Sequence, residues 1–216
     1  MDERTIQTPQ ERRIDPARVL ALSDGLFAII LTLLVLDIQV PDLAQGQSLV
    51  ETVREIKPSF VAFLISFAVV AIAWAGHRDL FGFIRSTDRP LIWLNFLYLL
   101  PLCLLPFGAS LLAQDERGLV GLRLYGLLLL AIDLTRLMIW VYATGRPTLL
   151  VAPIEQRARR VGIVMAIVGA IAYALAIAIA AALPTASLLM YAVIPALYFV
   201  GVAVNWDSER ANRGTA

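Results

Sequence analysis

The sequence predicts an all-α integral membrane protein with six membrane-spanning helices. Apolar residues make up 59% of the 216 residues and charged residues only 16%, which is too apolar for a soluble domain of this length. The apolar residues also form blocks of about 20 residues, the length that a helix needs to cross the hydrocarbon core. Basic residues are dense in every second connection between these blocks and at both ends of the chain, and sparse in the other connections. Both ends therefore belong on the same side of the membrane, which requires an even number of crossings.

Six apolar blocks define a single predicted domain over residues 1–216. Its spans cover 19–38, 59–81, 91–113, 119–143, 161–183 and 186–205. Four prolines lie in the predicted connections or at helix ends, where a missing N–H costs little: Pro58, Pro90, Pro147 and Pro184. Pro101 and Pro106 inside the third span, and Pro195 inside the sixth, predict a local kink or break in their helices.

The first block is interpreted as a retained span and not as a secretory signal. It is longer than a typical signal core, carries Asp24 and Asp37 towards its ends, and lacks a small-residue cleavage site after it. In the segment that follows, apolar residues recur with helical spacing over Ser48–Ile56. A short interfacial helix and an ordinary loop both account for this spacing.

The basic residues divide unequally between the two predicted sides of the membrane. One side has few: Arg54, Lys57, Arg117 and Arg123. The other side has most of them: Arg4, Arg12, Arg13, Arg18, Arg78, Arg85, Arg89, Arg146, Arg157, Arg159, Arg160, Arg210 and Arg213. The positive-inside rule therefore places both termini and the two even-numbered loops in the cytoplasm. No loop concentrates enough of these residues to predict a nucleic-acid or headgroup site, so lipid is expected as surroundings and nucleic acid is not expected as a partner.

The motifs of common enzymes are absent from the chain. It contains no His-Glu-x-x-His, phosphate-binding Gly loop, paired Cys ligands or Gly-x-Ser-x-Gly elbow. With His77 and Cys103 as the single histidine and cysteine, the sequence predicts no enzyme, no His/Cys metal site, no cofactor and no internal disulfide. A carboxylate-based membrane enzyme stays formally open. The Thr-Val-Gly-Tyr-Gly carbonyl filter of ordinary potassium channels is missing as well.

Ionisable residues lie near one end of the first two spans. Arg18 and Asp24 lie at the start of span one, and His77 and Asp79 lie at the end of span two. Both ends face the predicted cytoplasmic side, and ionisable groups near hydrocarbon are costly unless they are paired. We therefore expect these four side chains to satisfy one another across helices, either as structural contacts or with a direct role in ion passage.

One face of span one has a regular composition. Residues at steps of three and four share that face, with Leu33 beside Thr32: Arg18, Leu22, Gly25, Ile29, Thr32 and Leu36. Small, bulky and hydroxyl-bearing side chains in this order fit the wall of a narrow apolar pore. They also fit an ordinary packed face of a membrane helix.

Two further patterns in the later spans predict helix contacts. Asp133 and Arg136 are three residues apart in span four, so they can form a structural ion pair on one helix face, with a proton relay as the alternative. Span five carries a small residue at every fourth position: Gly162, Ala166, Ala170, Ala174, Ala178 and Ala182. Such a stripe favours close helix packing, either within a subunit or between subunits.

The start of span one also resembles a known family. Arg18-x-x-x-Leu22-Ser23-Asp24-Gly25, followed by Leu-Phe-Ala-Ile-Ile-Leu-Thr-Leu-Leu-Val-Leu-Asp-Ile, is similar to the signature first helix of the transmembrane-protein-175 family. This family contains the lysosomal potassium channel and its prokaryotic relatives, and its pattern has Phe where this chain has Leu22. Trp74 and His77, and Leu94-Asn95-Phe96 with Pro106-Phe107, extend the resemblance over residues 18–38 and 74–108. The last three spans match only in hydropathy and number.

The resemblance implies a passive, potassium-selective or weakly selective cation channel in the inner membrane of a prokaryote. Four identical subunits would line a central pore with their first helices, and the permeant ion would be the only ligand. The pore constriction would correspond to Ile29, with Leu33 and Leu36 towards the extracellular end, and Thr32 to a hydroxyl layer that favours potassium. The implied interhelical network comprises Arg18, Ser23, Asp24 and His77, which Asp79 is expected to join.

Two other classes of function remain as alternatives. A secondary transporter would be expected to show an inverted repeat with interrupted helices, and residues 1–113 and 114–216 show no convincing similarity. A non-conducting membrane scaffold needs only packed helices. Ion flux distinguishes the three, because a channel conducts passively, a transporter saturates and a scaffold passes nothing.

Overall fold

The computed structural model describes residues 15–36, 38, 49–114 and 119–197. In this part of the chain the regular structure is helical apart from isolated bridge positions, among them the antiparallel pair Ile84 and Leu150. The helices are α1 Pro16–Leu36, α2 Leu49–Gly82, α3 Arg89–Cys103, α4 Leu105–Gln114, α5 Leu119–Thr144, α6 Gln156–Ile179 and α7 Pro184–Leu197, with a 3₁₀ turn at Pro147–Leu149.

Five helical stretches in the described residues are long and apolar enough to cross a membrane. They are Pro16–Leu36, Val53–Gly82, Arg89–Gln114, Leu119–Thr144 and Gln156–Ile179. A sixth apolar helix, α7, is described as far as Leu197, and the rest of the predicted sixth span, 198–205, lies outside the described residues. The all-α membrane architecture predicted from the sequence is confirmed.

Helix α2 begins earlier than the predicted second span. It is continuous from Leu49, so the helical spacing before Lys57 belongs to the same helix and not to a separate interfacial one. Pro58, predicted to lie in a connection or at a helix end, lies inside the helix. Because proline has no N–H, the carbonyl of Arg54 one turn earlier loses its hydrogen-bond donor. Arg54 is exposed, so that carbonyl can be solvated and the helix tolerates the proline.

The third span consists of two helices that meet at Leu104, between Pro101 and Pro106. Pro106 has no N–H to donate to the preceding turn, which accounts for the predicted break. Leu104 donates to the carbonyl of Leu100 at 3.3 Å, and Gly108 donates to the carbonyl of Leu104 at 3.0 Å. Backbone hydrogen bonds therefore cross the break.

Helix α5 lies at the centre of the subunit. It packs against α3 and α4 on one side and α6 on the other, whereas α1 packs against α2, α3 and α4. The buried side chains of α5 occur along its length and include Leu122, Tyr125, Leu129, Ile132, Ile139 and Ala143. Tyr191 of α7 is fully buried, with its ring 5.9 Å from that of Tyr125 and 6.5 Å from that of Tyr173.

Small residues of α6 face large side chains of α5. A Cβ at Gly162 would lie 2.7 Å from Nε1 of Trp140, and one at Gly169 would lie 3.2 Å from Oδ2 of Asp133. The predicted stripe contributes to this contact only near its start, since Ala174 and Ala178 are exposed. The reason is geometric: steps of four residues advance about 40° further than one helical turn, so the stripe winds off the contact face.

The α2–α3 and α5–α6 connections lie together at one end of the bundle. The backbone N–H of Arg85 donates to the carbonyl of Leu149 at 2.8 Å, and that of Val151 donates to the carbonyl of Phe83 at 2.9 Å. Asp88 caps α3 by accepting from the N–H of Leu91 at 3.0 Å, and its other oxygen accepts from the Tyr142 hydroxyl at 2.7 Å. The two even-numbered loops therefore form one structural unit at the same end.

Candidate functional site

Helix α1 has one face packed into the subunit. Its buried side chains are Val19, Ser23, Phe27, Ile30 and Leu34, which recur at steps of three and four. All except Ser23 are apolar, and Phe27, Ile30 and Leu34 are almost completely buried. This face holds α1 against the other helices of the same chain.

The other face of α1 carries the residues that the sequence predicted as pore positions. Ile29 is 54% exposed, Leu33 43% and Leu36 69%, and Leu22 is likewise on the surface. Thr32 and Gly25 are also exposed. Within one subunit these side chains are therefore free to contact lipid, another subunit or a pore.

The hydroxyl of Thr32 is oriented by its own helix. Its Oγ1 donates to the carbonyl of Ile29 at 2.8 Å. Since that bond uses the single hydroxyl proton, the lone pairs of Oγ1 remain available as acceptors. An exposed oxygen with free lone pairs is suited to contact a cation or a water molecule.

A chain of buried polar groups fixes the inner face of α1 to α2 and α3. Ser23 donates to the carbonyl of Val19 at 2.9 Å, and Nδ2 of Asn95 donates to the Ser23 hydroxyl at 3.0 Å. The oxygen of Asn95 then lies 2.8 Å from Nε2 of His77, which identifies Nε2 as the protonated donor. Ser23, His77 and Asn95 are each at least 98% buried.

Aromatic rings enclose His77 between α1 and α3. The imidazole stacks on Tyr98 at a centroid distance of 5.5 Å and on Phe81 at 4.4 Å. Phe27 of α1 approaches it at 5.7 Å. This packing fixes the ring plane, so the hydrogen bond to Asn95 is held in one direction.

A second polar contact joins α1 to α2 at the surface of the subunit. Nε1 of Trp74 donates to Oδ1 of Asp24 at 2.9 Å. The guanidinium of Arg78 lies 5.6 Å from the Trp74 ring centroid and pairs with Asp79 at 3.3 Å. Because that ion pair is largely exposed, it contributes little to stability.

These contacts differ from the expected direct pairing of four ionisable groups. Asp24 uses Trp74, and His77 reaches Ser23 through Asn95. Asp79 pairs with its sequence neighbour Arg78, and the Arg18 side chain is exposed, with no ion pair to another described residue. The physical reason is that neutral donors and acceptors satisfy buried groups without bringing further charge into the bundle.

Sequence reasoning did not assign Asn95 and Trp74 to this network. Asn95 is the single strongly polar side chain between Leu91 and Cys103, and a polar residue in a membrane helix requires a partner. That isolated position was a usable signal. The contact between Trp74 and Asp24 had no comparable signal, because tryptophan is common near membrane interfaces.

The predicted ion pair in span four is present. Nη2 of Arg136 lies 3.1 Å from Oδ1 of Asp133, and both side chains are largely buried. Among the described residues, no group of three or more His, Cys, Asp or Glu side chains could hold a metal ion.

The fold and these contacts define a polytopic helical membrane protein whose first helix is anchored on one face and exposes an apolar, hydroxyl-bearing face. The sequence profile described as "Endosomal/lysosomal potassium channel TMEM175" matches residues 18–106, which include all but the first two residues of that helix, together with its anchoring partners. A potassium channel of Chamaesiphon minutus is 33% identical over 150 residues, covering 67% of this chain and 73% of the relative. The chain belongs to the TMEM175 family.

Two further comparisons give the extent of the similarity. A potassium channel of Streptomyces collinus is 34% identical over 134 residues, covering 60% of this chain and 65% of that relative. The crystal structure of a lysosomal potassium-selective channel TMEM175 homologue from Chamaesiphon minutus matches with a TM-score of 0.75 at 28% identity, covering 86% of this chain and 96% of that one. These relatives are named as channels and not as enzymes, which confirms the prediction of a non-enzymatic protein.

Proposed function

We propose that this chain is one subunit of a homotetrameric potassium channel in the inner membrane of a prokaryote. In this proposal the whole chain acts as one six-helix membrane domain, and four copies of α1 surround the pore. The names of the bacterial relatives support the activity, and their source supports the location. Passive conduction through the centre of the tetramer then needs no cofactor.

The observation that carries this proposal is the division of α1 into two faces. One face is buried and fixed by the Ser23–Asn95–His77 hydrogen bonds. The opposite face, with Ile29 and Thr32, is exposed in the part of the subunit that the structure describes. A helix at the edge of its subunit with this arrangement can line a pore on a symmetry axis.

Ile29 is the proposed constriction, with Leu33 and Leu36 as further apolar positions along the same face. A narrow aliphatic ring loses its water and blocks ions unless it widens or the ion keeps part of its hydration shell. Thr32 follows Ile29 by almost one turn, so four hydroxyl oxygens would form one level beside the ring. Oxygens with free lone pairs there favour the cation that gives up water more easily, which is potassium over sodium.

The buried polar groups have a positioning role in this proposal. A pore helix with a narrow apolar ring must keep its rotation about its own axis, because a small rotation would replace Ile29 by its neighbours. The Asn95 bonds and the Trp74–Asp24 bond attach α1 to α2 and α3 on the face away from the pore. They resist that rotation without contacting the ion.

The proposed orientation puts both termini in the cytoplasm. The α2–α3 and α5–α6 connections share one end of the bundle, and Arg85, Arg89, Arg146, Arg157 and Arg160 are exposed near it. A concentration of arginines at one end supports a cytoplasmic assignment of that end.

The proposal is tested by ion flux through two α1 variants with one matched control. Purified Ile29→Ala, Thr32→Ala and Val35→Ala proteins are reconstituted into vesicles, and potassium and sodium efflux are measured separately. Val35 is 49% exposed on the same helix and lies about 120° around the axis from Ile29, so it controls for truncation of an exposed aliphatic residue.

Ile29→Ala should raise the flux of both ions and reduce the preference for potassium, because the ring widens. Thr32→Ala should mainly reduce the preference for potassium over sodium, because the hydroxyl layer is lost while the ring of Ile29 side chains stays. Val35→Ala should match the unmodified protein. If Ile29→Ala and Thr32→Ala both leave conductance and ion preference unchanged, these residues do not form the filter.

A further inference from the structure

A second site lies in the bundle away from the exposed face of α1. A cavity of about 290 Å³ opens between α2, α3, α5, α6 and α7. Its walls are mainly aliphatic and aromatic, with Tyr98, Ile132 and Tyr173 among them. Val164 and Val168 of α6 also line it and are 57% and 60% exposed, so one side of the cavity meets the lipid-facing surface of α6.

Small residues in the wall leave the space in this cavity. Gly76 of α2 lines it, and a Cβ added at Gly76 would meet no atom within 4 Å. On the facing helix, Ala172 supplies only a methyl group to the wall. The cavity is thus open to a molecule that enters from the hydrocarbon core of the membrane.

The charged part of the cavity is the Asp133–Arg136 pair, and Tyr98 and Tyr173 are its other polar lining residues. Both residues of the pair line the cavity, and Asp133 lies near the middle of α5, a helix long and apolar enough to cross a membrane. Oδ1 of Asp133 accepts from Arg136 at 3.1 Å, but its buried Oδ2 has no hydrogen-bond partner among the described residues. A buried carboxylate oxygen without a donor is unfavourable, so a ligand that donates there gains binding energy.

The charge balance of the pair selects the chemistry of that donor. Asp133 and Arg136 together are neutral. An ammonium group would leave a net positive charge in an apolar cavity, and a carboxylate ligand would leave a net negative one, both at high cost in hydrocarbon. A hydroxyl group supplies one hydrogen bond to Oδ2 and adds no charge.

We propose that this cavity binds a single-chain amphiphile bearing a hydroxyl group, such as a long-chain alcohol or a hydroxyl-bearing lipid. The hydroxyl donates to Oδ2 of Asp133, and the chain lies between Gly76 and Ala172 towards the surface of α6. The volume is about twice that of the ~150 Å³ apolar cavity known to bind benzene, so it holds about a dozen non-hydrogen atoms. This site is independent of ion conduction.

The test uses the full chain in lipid nanodiscs and a dodecanol that carries a photoreactive diazirine in mid-chain. After illumination, labelled peptides are mapped by mass spectrometry, with unlabelled dodecanol, dodecylamine and dodecanoic acid as competitors. Labelling is expected on the α2 and α6 segments around Gly76 and Ala172. Dodecanol should compete at least about tenfold better than the amine or the acid, because each of these brings a net charge into the cavity and the alcohol does not.

Three variants distinguish the cavity from the general lipid surface. Gly76→Leu should fold, since its Cβ meets open space and glycine is a poor helix former, and it should remove most of the labelling by filling the cavity. Ala172→Phe should do the same from the opposite wall. Ile171→Phe is the control, because Ile171 is 55% exposed on the same helix and does not line the cavity.

Asp133→Asn keeps the shape of the side chain but removes its charge, and should weaken competition by dodecanol about tenfold. The proposal is overturned if folded Gly76→Leu and Ala172→Phe label as strongly as the Ile171→Phe control. It is equally overturned if the three competitors act alike, since labelling would then report only partition of the probe into the bilayer.

Discussion

Loss of the Asn95 side-chain amide gives the sharpest test of how α1 is held. Asn95 makes two hydrogen bonds, to Ser23 and to His77, and is 1% exposed. Asn95→Leu removes both bonds and keeps a side chain of similar size. Ser23 retains its bond to Val19, but Nε2 of His77 is left without this acceptor, and its Nδ1 already lacks a partner among the described residues.

The size of the effect follows from those two bonds. Side-chain hydrogen bonds between membrane helices average about 0.6 kcal/mol and reach about 1.7 kcal/mol, and a buried group left unsatisfied costs about 1–3 kcal/mol in soluble proteins. Asn95→Leu should therefore lower the free energy of unfolding by about 1–3 kcal/mol. The measurement is reversible unfolding by sodium dodecyl sulfate in mixed micelles, followed by tryptophan fluorescence.

Thr135→Val is the matched control for this measurement. Thr135 is also buried and polar, but its hydroxyl donates to the carbonyls of Ala131 and Ile132 on its own helix. Valine has nearly the same shape, so the loss should stay below about 0.5 kcal/mol. The reasoning is refuted if Asn95→Leu costs no more than Thr135→Val, because the interhelical bonds would then contribute nothing beyond local ones.

Two other predictions use the same unfolding assay. Asp88→Ala should lower the free energy of unfolding by about 1–2 kcal/mol, because it removes the cap of α3 and the acceptor of the Tyr142 hydroxyl. Tyr142→Phe removes only the second contact and should cost less. Equal losses in the two variants would argue against the cap. Gly162→Leu should destabilise the α5–α6 contact by at least about 1–3 kcal/mol, because its Cβ would lie 2.7 Å from the Trp140 ring. Val161→Leu, at an exposed neighbouring position, should be neutral, and a neutral Gly162→Leu would contradict the described packing.

Most of the fold could be predicted from the sequence because hydrophobic length is a strong constraint in membranes. Each predicted span overlaps a described helix, and the break near Leu104 was expected from Pro101 and Pro106. Pro58 was the exception. Its position suggested a connection, but a membrane helix tolerates proline where the freed carbonyl is solvated, and no local pattern distinguishes the two cases.

The contacts between helices were predictable only in part. The Asp133–Arg136 pair follows from spacing along one helix, so the sequence was sufficient. The partners of His77 and Asp24 belong to other helices, and their choice depends on helix rotation, which hydropathy does not determine. The small-residue stripe of span five shows the same limit, because its period of four differs from the helical repeat and Ala174 and Ala178 leave the contact face.

The central claim is that four copies of α1 form a potassium-conducting pore. The most direct measurement is potassium efflux from vesicles that contain the purified protein, with an ionophore to define total release and sodium-loaded vesicles in parallel. The account predicts rapid potassium efflux that exceeds sodium efflux. Efflux no greater than that of empty vesicles, from protein shown to be a folded tetramer, would contradict it.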